Sequence, residues 1–169
     1  KNLNKGIEFS TGSLGMGLSI AVGLGIAYKK KRINKKIFVI MGDGECNEGS
    51  NWEALMTASH FKLDNLIIFV DKNNYQQTGN CGEILNLDNL NDKLNSFNCF
   101  SKEINGHNHS EIFEAIDNNT NLNGPNVIVA NTIKGKGIDF FENKNEWHHS
   151  VLSKKFYEEA LESLNKNYE

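Results

Sequence analysis

A chain of 169 residues is the size of one domain and long enough to bury a sizeable core. Its net charge is −3 and its cations are scattered, which excludes the basic footprint of a nucleic-acid binder. Three cysteines without metal-like spacing, no signal-peptide pattern and no membrane-length apolar run point to reduced thiols in a cytoplasmic protein. The chain begins at Lys1 rather than Met, so the expectation is one domain over residues 1–169 that lacks its natural amino-terminal segment.

Residues 1–9 read as a loop. The turn Ser10-Thr11-Gly12-Ser13-Leu14-Gly15-Met16-Gly17 then opens a helix running from Leu18 to Tyr28, with Thr11 or Ser13 as its cap. Gly23 and Gly25 read as points of close packing against a neighbour. The run Lys29-Lys30-Lys31-Arg32 follows, where cations suit the helix dipole, so a capping role is preferred over a binding patch. A strand from Ile37 to Met41 ends in Gly42-Asp43-Gly44-Glu45. A helix from Ser50 to Phe61 carries Trp52 and Met56 toward the core. A second strand, Leu66 to Val70, ends in Asp71-Lys72-Asn73-Asn74. Short β-branched runs separated by a helix predict a βαβ unit with a parallel, buried sheet. A short helix (Asp88 to Phe97), a strand (Cys99 to Ile104) and a helix (Ser110 to Asn118) come next. Gly124-Pro125 precedes a strand from Asn126 to Asn131, and an amphipathic helix from Ser153 to Leu164 closes the chain. The fold class is therefore α/β, a parallel sheet flanked by helices on both faces.

Ligands of open parallel sheets bind beyond the carboxyl ends of the strands. Asp43 and Asn73 stand there on successive strands, and both offer hard oxygens. Such oxygens suit Mg²⁺, a cation usually shared with phosphate oxygens. Gly42 and Gly44 allow close backbone approach. The residues thus read as a Mg²⁺-diphosphate site, although Asn73-Asn74 also fits an ordinary Asx turn. The turn at Gly12 is not a nucleotide P-loop, because no Gly-Lys-Ser/Thr follows it. Glu48, just past the metal loop, is placed to cap or solvate the next helix. His60 and His107 read as structural. Lys134 is either a solvated lysine or a cation facing a diphosphate or phosphorylated substrate.

Four blocks carry a resemblance. Gly42-Asp43-Gly44, followed thirty residues after the aspartate by Asn73, resembles the thiamine diphosphate signature. The wider text through Glu48-Gly49 and Trp52-Glu53-Ala54 is similar to the transketolase family. So are the turn from Thr11 to Gly17, the run Thr132-Ile133-Lys134-Gly135-Lys136-Gly137, and Glu142-Asn143-Lys144-Asn145-Glu146-Trp147-His148. The likeness is to the amino-terminal subunit of two-subunit transketolases and spans Gly6 to His148. It implies thiamine diphosphate with Mg²⁺, or Ca²⁺ or Mn²⁺, as cofactors. Asp43, Asn73 and the backbone carbonyl of Tyr75 are the implied metal ligands. Gly12 and Leu14 would lie beside the cofactor's rings, with Gly42, Gly44, Glu45, Lys134 and His148 along the crevice. The implied catalytic residues are His148, over the diphosphate and the reacting carbon, and Glu48, in an acidic network linking two sites across a dimer. Met16 stands where the family has glutamine, Asn105 where it has aspartate and His149 where it has glycine.

The resemblance also implies an absence. The glutamate that the cofactor's pyrimidine ring needs belongs to a separate domain in this family, and this chain does not supply it. A partner carrying that pyrimidine domain and a carboxyl-terminal domain is expected, in a heterotetramer with two copies of each subunit. The implied activity is transfer of a two-carbon ketol unit between sugar phosphates, a transferase of carbohydrate metabolism. Met16 and His149 motivate an alternative, acyl or ketol transfer onto a modified or nucleotide-linked sugar. A non-catalytic scaffold with a vestigial site is the alternative of a different class. A 2-oxoacid dehydrogenase subunit fits the Trp147-His148 block less well, and a nucleotide-binding module fits least.

Overall fold

The computed structural model describes residues 2–118 and 123–168; Lys1, at the head of the expected opening loop, lies outside them. The elements in chain order are α1 (Met16–Lys30), β1 (Ile37–Gly42), α2 (Gly49–His60) and β2 (Leu66–Lys72). A short hairpin, β3 (Tyr75–Gln76) and β4 (Gly79–Asn80), leads to α3 (Cys81–Ile84) and α4 (Leu90–Ser96). Then come β5 (Phe100–Asn105), α5 (His109–Asp117), β6 (Asn126–Asn131) and α6 (Lys154–Tyr168). Each expected helix and strand is present with ends moved by a few residues. The hairpin and α3 are additions, built from polar turn residues that carry no apolar period.

The four long strands form one parallel sheet in the order β1-β2-β6-β5. Side chains alternate across it, so each face has its own core. Ile68, Val70, Val127 and Val129 meet Leu18 and Val22 of α1, Leu55 of α2 and Leu94 of α4 on one face. Ile67, Ile104 and Ile128 meet Ala115, Ile112 and Ile116 of α5 on the other. Helices therefore cover both faces, as the α/β reading requires. The α5 start follows from Asn108, whose side chain accepts from the N–H groups of Ser110 and Glu111.

Three expectations about packing are corrected. β1 is not buried on both faces: Phe38 is 53% and Ile40 80% exposed, because α5 reaches Ile67 and Phe69 of β2 but stops short of the edge strand. Met56 faces solvent rather than the core, since the buried face of α2 is Asn51, Ala54, Leu55 and Ala58. Neither Thr11 nor Ser13 caps α1; Gly15 occupies that position with φ of 79°. In the basic run, Lys29 and Lys30 lie in the last turn of α1, and Lys29 donates to the Lys62 carbonyl and pairs with Asp64 at 2.7 Å, tying α1 to the loop after α2 rather than capping the carbonyls of α1. Trp52 packs on the core as expected, with its ring 5.1 Å from Phe97 and its Nε1–H donated to the Cys46 carbonyl at 2.8 Å.

Gly25 is closely packed, but Gly23 is not. A Cβ at 25 would lie 3.1 Å from Cδ1 of the fully buried Leu63, while one at 23 would meet no atom within 4 Å. Gly23→Ala is therefore expected to stabilise the chain by about 0.5–1 kcal/mol through helix propensity. Gly25→Ala is expected to lose that gain to the crowding at Leu63. Thermal unfolding of the two variants checks the contrast; equal shifts in midpoint would contradict it.

Candidate functional site

The parallel register sets Gly42 beside Asp71, so the turns leaving β1 and β2 meet at one edge of the sheet. The Asp43 N–H donates to the Asp71 carbonyl at 3.1 Å, carrying the ladder one residue past the strand end. The chain then winds into a 3-10 turn, Gly44–Asn47, capped by Asp43 itself: Oδ1 accepts from the Gly44 N–H at 2.8 Å. Oδ2 accepts from the Asn74 N–H at 2.6 Å, bridging to the neighbouring strand end. Asp43 is only 4% exposed. Burial pushes its carboxyl above the usual carboxylate range, against the pull of the two N–H donors, and nearby Asp71 adds to the rise.

Asn73 sits on the second strand end. Its Oδ1 accepts from the Tyr75 N–H at 3.0 Å, the Asx turn anticipated as the plain alternative. That bond leaves Oδ1 a second lone pair, so turn and ligand roles are compatible. Its Nδ2 donates to Asp71 Oδ2 at 3.1 Å. Gly44 lies hard against the hairpin, where a Cβ would come within 2.5 Å of Gln76 Cβ. An open cleft of about 290 Å³ lies beside Asp43, lined also by Lys72, Asn74, Cys81 and Asp88. Burial and the adjacent Asp43 push the Cys81 thiol up to about 11, so it stays protonated at neutral pH.

The glycine turn before α1 is clamped onto this loop. The Gly15 N–H donates to Glu45 Oε1 at 2.9 Å, and Ser50 Oγ donates to the Gly15 carbonyl at 3.1 Å. Glu45, expected along the cofactor crevice, thus holds the turn that carries Gly12 and Leu14, both exposed. Glu48 is exposed at the N-cap of α2 and its side chain makes no capping bond, so the capping alternative is not taken.

A third strand end completes the edge. Thr132, after β6, donates its Oγ1–H to Asp71 Oδ1 and its N–H to the Lys72 carbonyl. His107 Nε2 accepts from the Ile133 N–H at 2.8 Å, the structural role read for it. Lys134 Nζ lies 3.4 Å from His148 Nδ1. His148 sits on the 3-10 turn Asn145–His148, which Asn145 ties to the hairpin by donating to the Gln77 carbonyl at 3.0 Å. Phe140, Trp147 and Phe156, packed largely edge to face, hold this loop against α6, and the Asp139 N–H donates to Ser163 Oγ at 3.0 Å. Burial and the Lys134 ammonium lower the His148 pKa, and His149 adds to the effect.

Sequence reasoning singled out Asp43, Asn73 and the Lys134–His148 pair but missed Asp71, Thr132, Gly15 and Ser50. Asp71 heads the same polar cluster as Asn73, which was the available signal. Among the described residues no three His, Cys, Asp or Glu side chains converge as a metal cluster. The donors that the structure brings to these strand ends are a buried carboxylate with no ion-pair partner among the described residues and an amide oxygen with a lone pair to spare. That hard-oxygen set fits a divalent cation whose remaining positions go to phosphate or water.

The fold and site define an α/β domain with its ligand crevice at the carboxyl ends of a parallel sheet. A family model described as "Transketolase, thiamine diphosphate binding domain" matches residues 1–167, and the chain belongs to that family. It is 45% identical over 164 residues to an apulose-4-phosphate transketolase subunit of Actinobacillus succinogenes, covering 97% of this chain and 59% of that protein. It is 41% identical over 162 residues to the 6-deoxy-6-sulfo-D-fructose transketolase subunit SqwG of a Clostridium species, covering 95% and 59%. The chain thus spans about three fifths of the length of these curated relatives. The crystal structure of Campylobacter jejuni transketolase superposes with a TM-score of 0.87 at 32% identity, covering 95% of this chain and 26% of that one.

Two outcomes follow from this geometry. An alanine Cβ at Gly15 would stand 2.3 Å from Ser50 Oγ and 2.9 Å from Glu48 Cβ, on a backbone with φ of 79°. Gly15→Ala is expected to cost about 1–3 kcal/mol of stability, read by denaturant unfolding. His148 is expected to titrate below 6.5, and Lys134→Met to raise its midpoint, as followed by NMR. Because the folded value is the lower one, the unfolded state binds more protons between the two values. The His148 contribution to stability therefore rises with pH through that window and is lost as pH falls through it.

Proposed function

We propose that this chain is the diphosphate-binding part of a cytoplasmic, two-subunit transketolase that moves a two-carbon ketol unit between sugar phosphates. The observation that carries the reading is the buried Asp43 carboxylate, bonded across to the Asn73-Asn74 turn in a chain of the transketolase family. Asp43, the Asn73 amide oxygen and the Tyr75 carbonyl would hold Mg²⁺, and the glycines at the strand ends would let the backbone approach the diphosphate. Thiamine diphosphate, when bound, supplies the carbon nucleophile that breaks and remakes the bond beside the ketone. Gly12 and Leu14, held by the Glu45–Gly15 clamp, would seat its rings.

The lowered pKa of His148 favours a neutral imidazole at neutral pH, able to accept a proton or a hydrogen bond at the crevice, while Lys134 beside it supplies the positive charge for a diphosphate or a substrate phosphate. Uncapped, exposed Glu48 is free to join a carboxylate network with a second copy. A partner subunit bearing the pyrimidine domain completes the site, in a heterotetramer with two copies of each. The names of the relatives favour a modified sugar bearing a phosphate or a sulfonate as substrate, and Met16 and His149 are departures from the family pattern near the expected site.

Calorimetry of thiamine diphosphate binding, on the complete protein mixed with its partner, tests this. Binding is expected to need Mg²⁺ and the partner, and Asp43→Ala is expected to weaken it by more than about 100-fold. No binding by folded protein and partner would overturn the enzyme reading in favour of a scaffold with a vestigial site.

A further inference from the structure

Asp71 is an acidic side chain at this edge that the proposed site does not use as a ligand. Its two carboxylate oxygens are divided: Oδ2 accepts from Asn73 Nδ2 at 3.1 Å, and Oδ1 accepts from Thr132 Oγ1. Its backbone carbonyl takes the Asp43 N–H at 3.1 Å. The neighbouring cation is engaged elsewhere, with Lys72 Nζ 3.7 Å from Glu103 Oε1. Asp71 therefore touches all three strand ends that build the crevice.

We infer that Asp71 is the positioning residue that fixes which end of the Asn73 amide faces the metal. This role rests on the Mg²⁺-diphosphate reading above. An asparagine amide has two ends of almost equal size and opposite polarity. Only the oxygen end binds a cation; a flipped amide would aim its NH₂ at Mg²⁺ and repel it. An ionised carboxylate accepts hydrogen bonds and donates none, so Asp71 selects the orientation with Nδ2 toward itself and Oδ1 toward the Tyr75 turn. Thr132 holds that carboxylate in place from the β6 side, which couples the Lys134 loop to the same orientation. Outer-shell partners of this kind tune metal affinity by orienting the ligands.

The test measures Mn²⁺ affinity by electron paramagnetic resonance, in the presence of thiamine diphosphate, on the full-length protein assembled with its partner. Asp71→Ala is expected to weaken Mn²⁺ binding by about 10- to 100-fold. Asp71→Ser, one bond shorter than the carboxylate, is read in its place if the alanine variant does not fold. Asp71→Asn keeps an acceptor for Asn73, and the Thr132 hydroxyl can reverse to accept from its NH₂, so it is expected to stay within about fivefold of wild type. Adding Asn73→Asp to the alanine or serine variant removes the need for orientation, because both carboxylate oxygens are ligands, and is expected to restore affinity. Wild-type affinity in Asp71→Ala or Asp71→Ser, or a loss in Asp71→Asn as large as theirs, would overturn the assignment. Failure of the double variant to recover would also overturn it. No Mn²⁺ binding by wild type would overturn the metal-site reading itself, and this inference with it.

Discussion

The pairing of β1 with β2 is the constraint on which the rest of this structure depends, because its register decides which polar residues meet when the strands run out. Ile37 pairs with Leu66 and Gly42 with Asp71, and the next residue, Asp43, continues the ladder through its own N–H. A slip of one residue would turn Val39 and Met41 away from the core on one side of the sheet and bring Phe38 and Ile40 into it. It would also carry Asp43 away from the Asn74 N–H. The apolar alternation that buries Ile68 and Val70 under α1 and α2 thus aims the carboxylate as well.

Electrostatically the edge is built to be incomplete. Asp43 is buried with two N–H donors and no cation beside it among the described residues, and Asp71 adds a second negative charge nearby. Such an arrangement is destabilising in the free chain; under the proposed Mg²⁺-diphosphate reading it would become favourable on binding, and binding and folding would reinforce each other. The clamps around it are neutral or already satisfied. Glu45 is bonded to Gly15, His107 to Ile133 and Asn145 to Gln77, which holds three loops in place around the crevice.

The described residues leave large apolar side chains exposed on β1 and α5. Phe38 and Ile40 stand bare on β1, Phe113 is exposed on α5, and Glu48 projects uncapped from the start of α2. Exposed apolar groups of this size on a sheet face are costly in water and mark surfaces with contacts still to make. They accord with a chain that spans about three fifths of the length of its curated relatives.

Much of this was legible in the amino-acid order. Short β-branched runs such as Leu66 to Val70 announced a parallel sheet, and Gly42-Asp43-Gly44 with Asn73 marked two polar strand ends that the structure brings together, because local period and turn chemistry are written residue by residue. The helix cap at Gly15 was not legible, since Thr11 and Ser13 are better cappers by propensity and lost only to the clamp from Glu45 and Ser50. Nor was the burial of α2, where Met56 and Ala58 are equally apolar on paper and only the position of α1 separates them. Sequence alone determined the four strands of the main sheet, the five longer helices and the hard oxygens at two strand ends. Tertiary structure decided what those oxygens touch. Asp71, Asn73 and Thr132 become one network only when β2 and β6 lie side by side, a contact across 61 residues that no local pattern encodes.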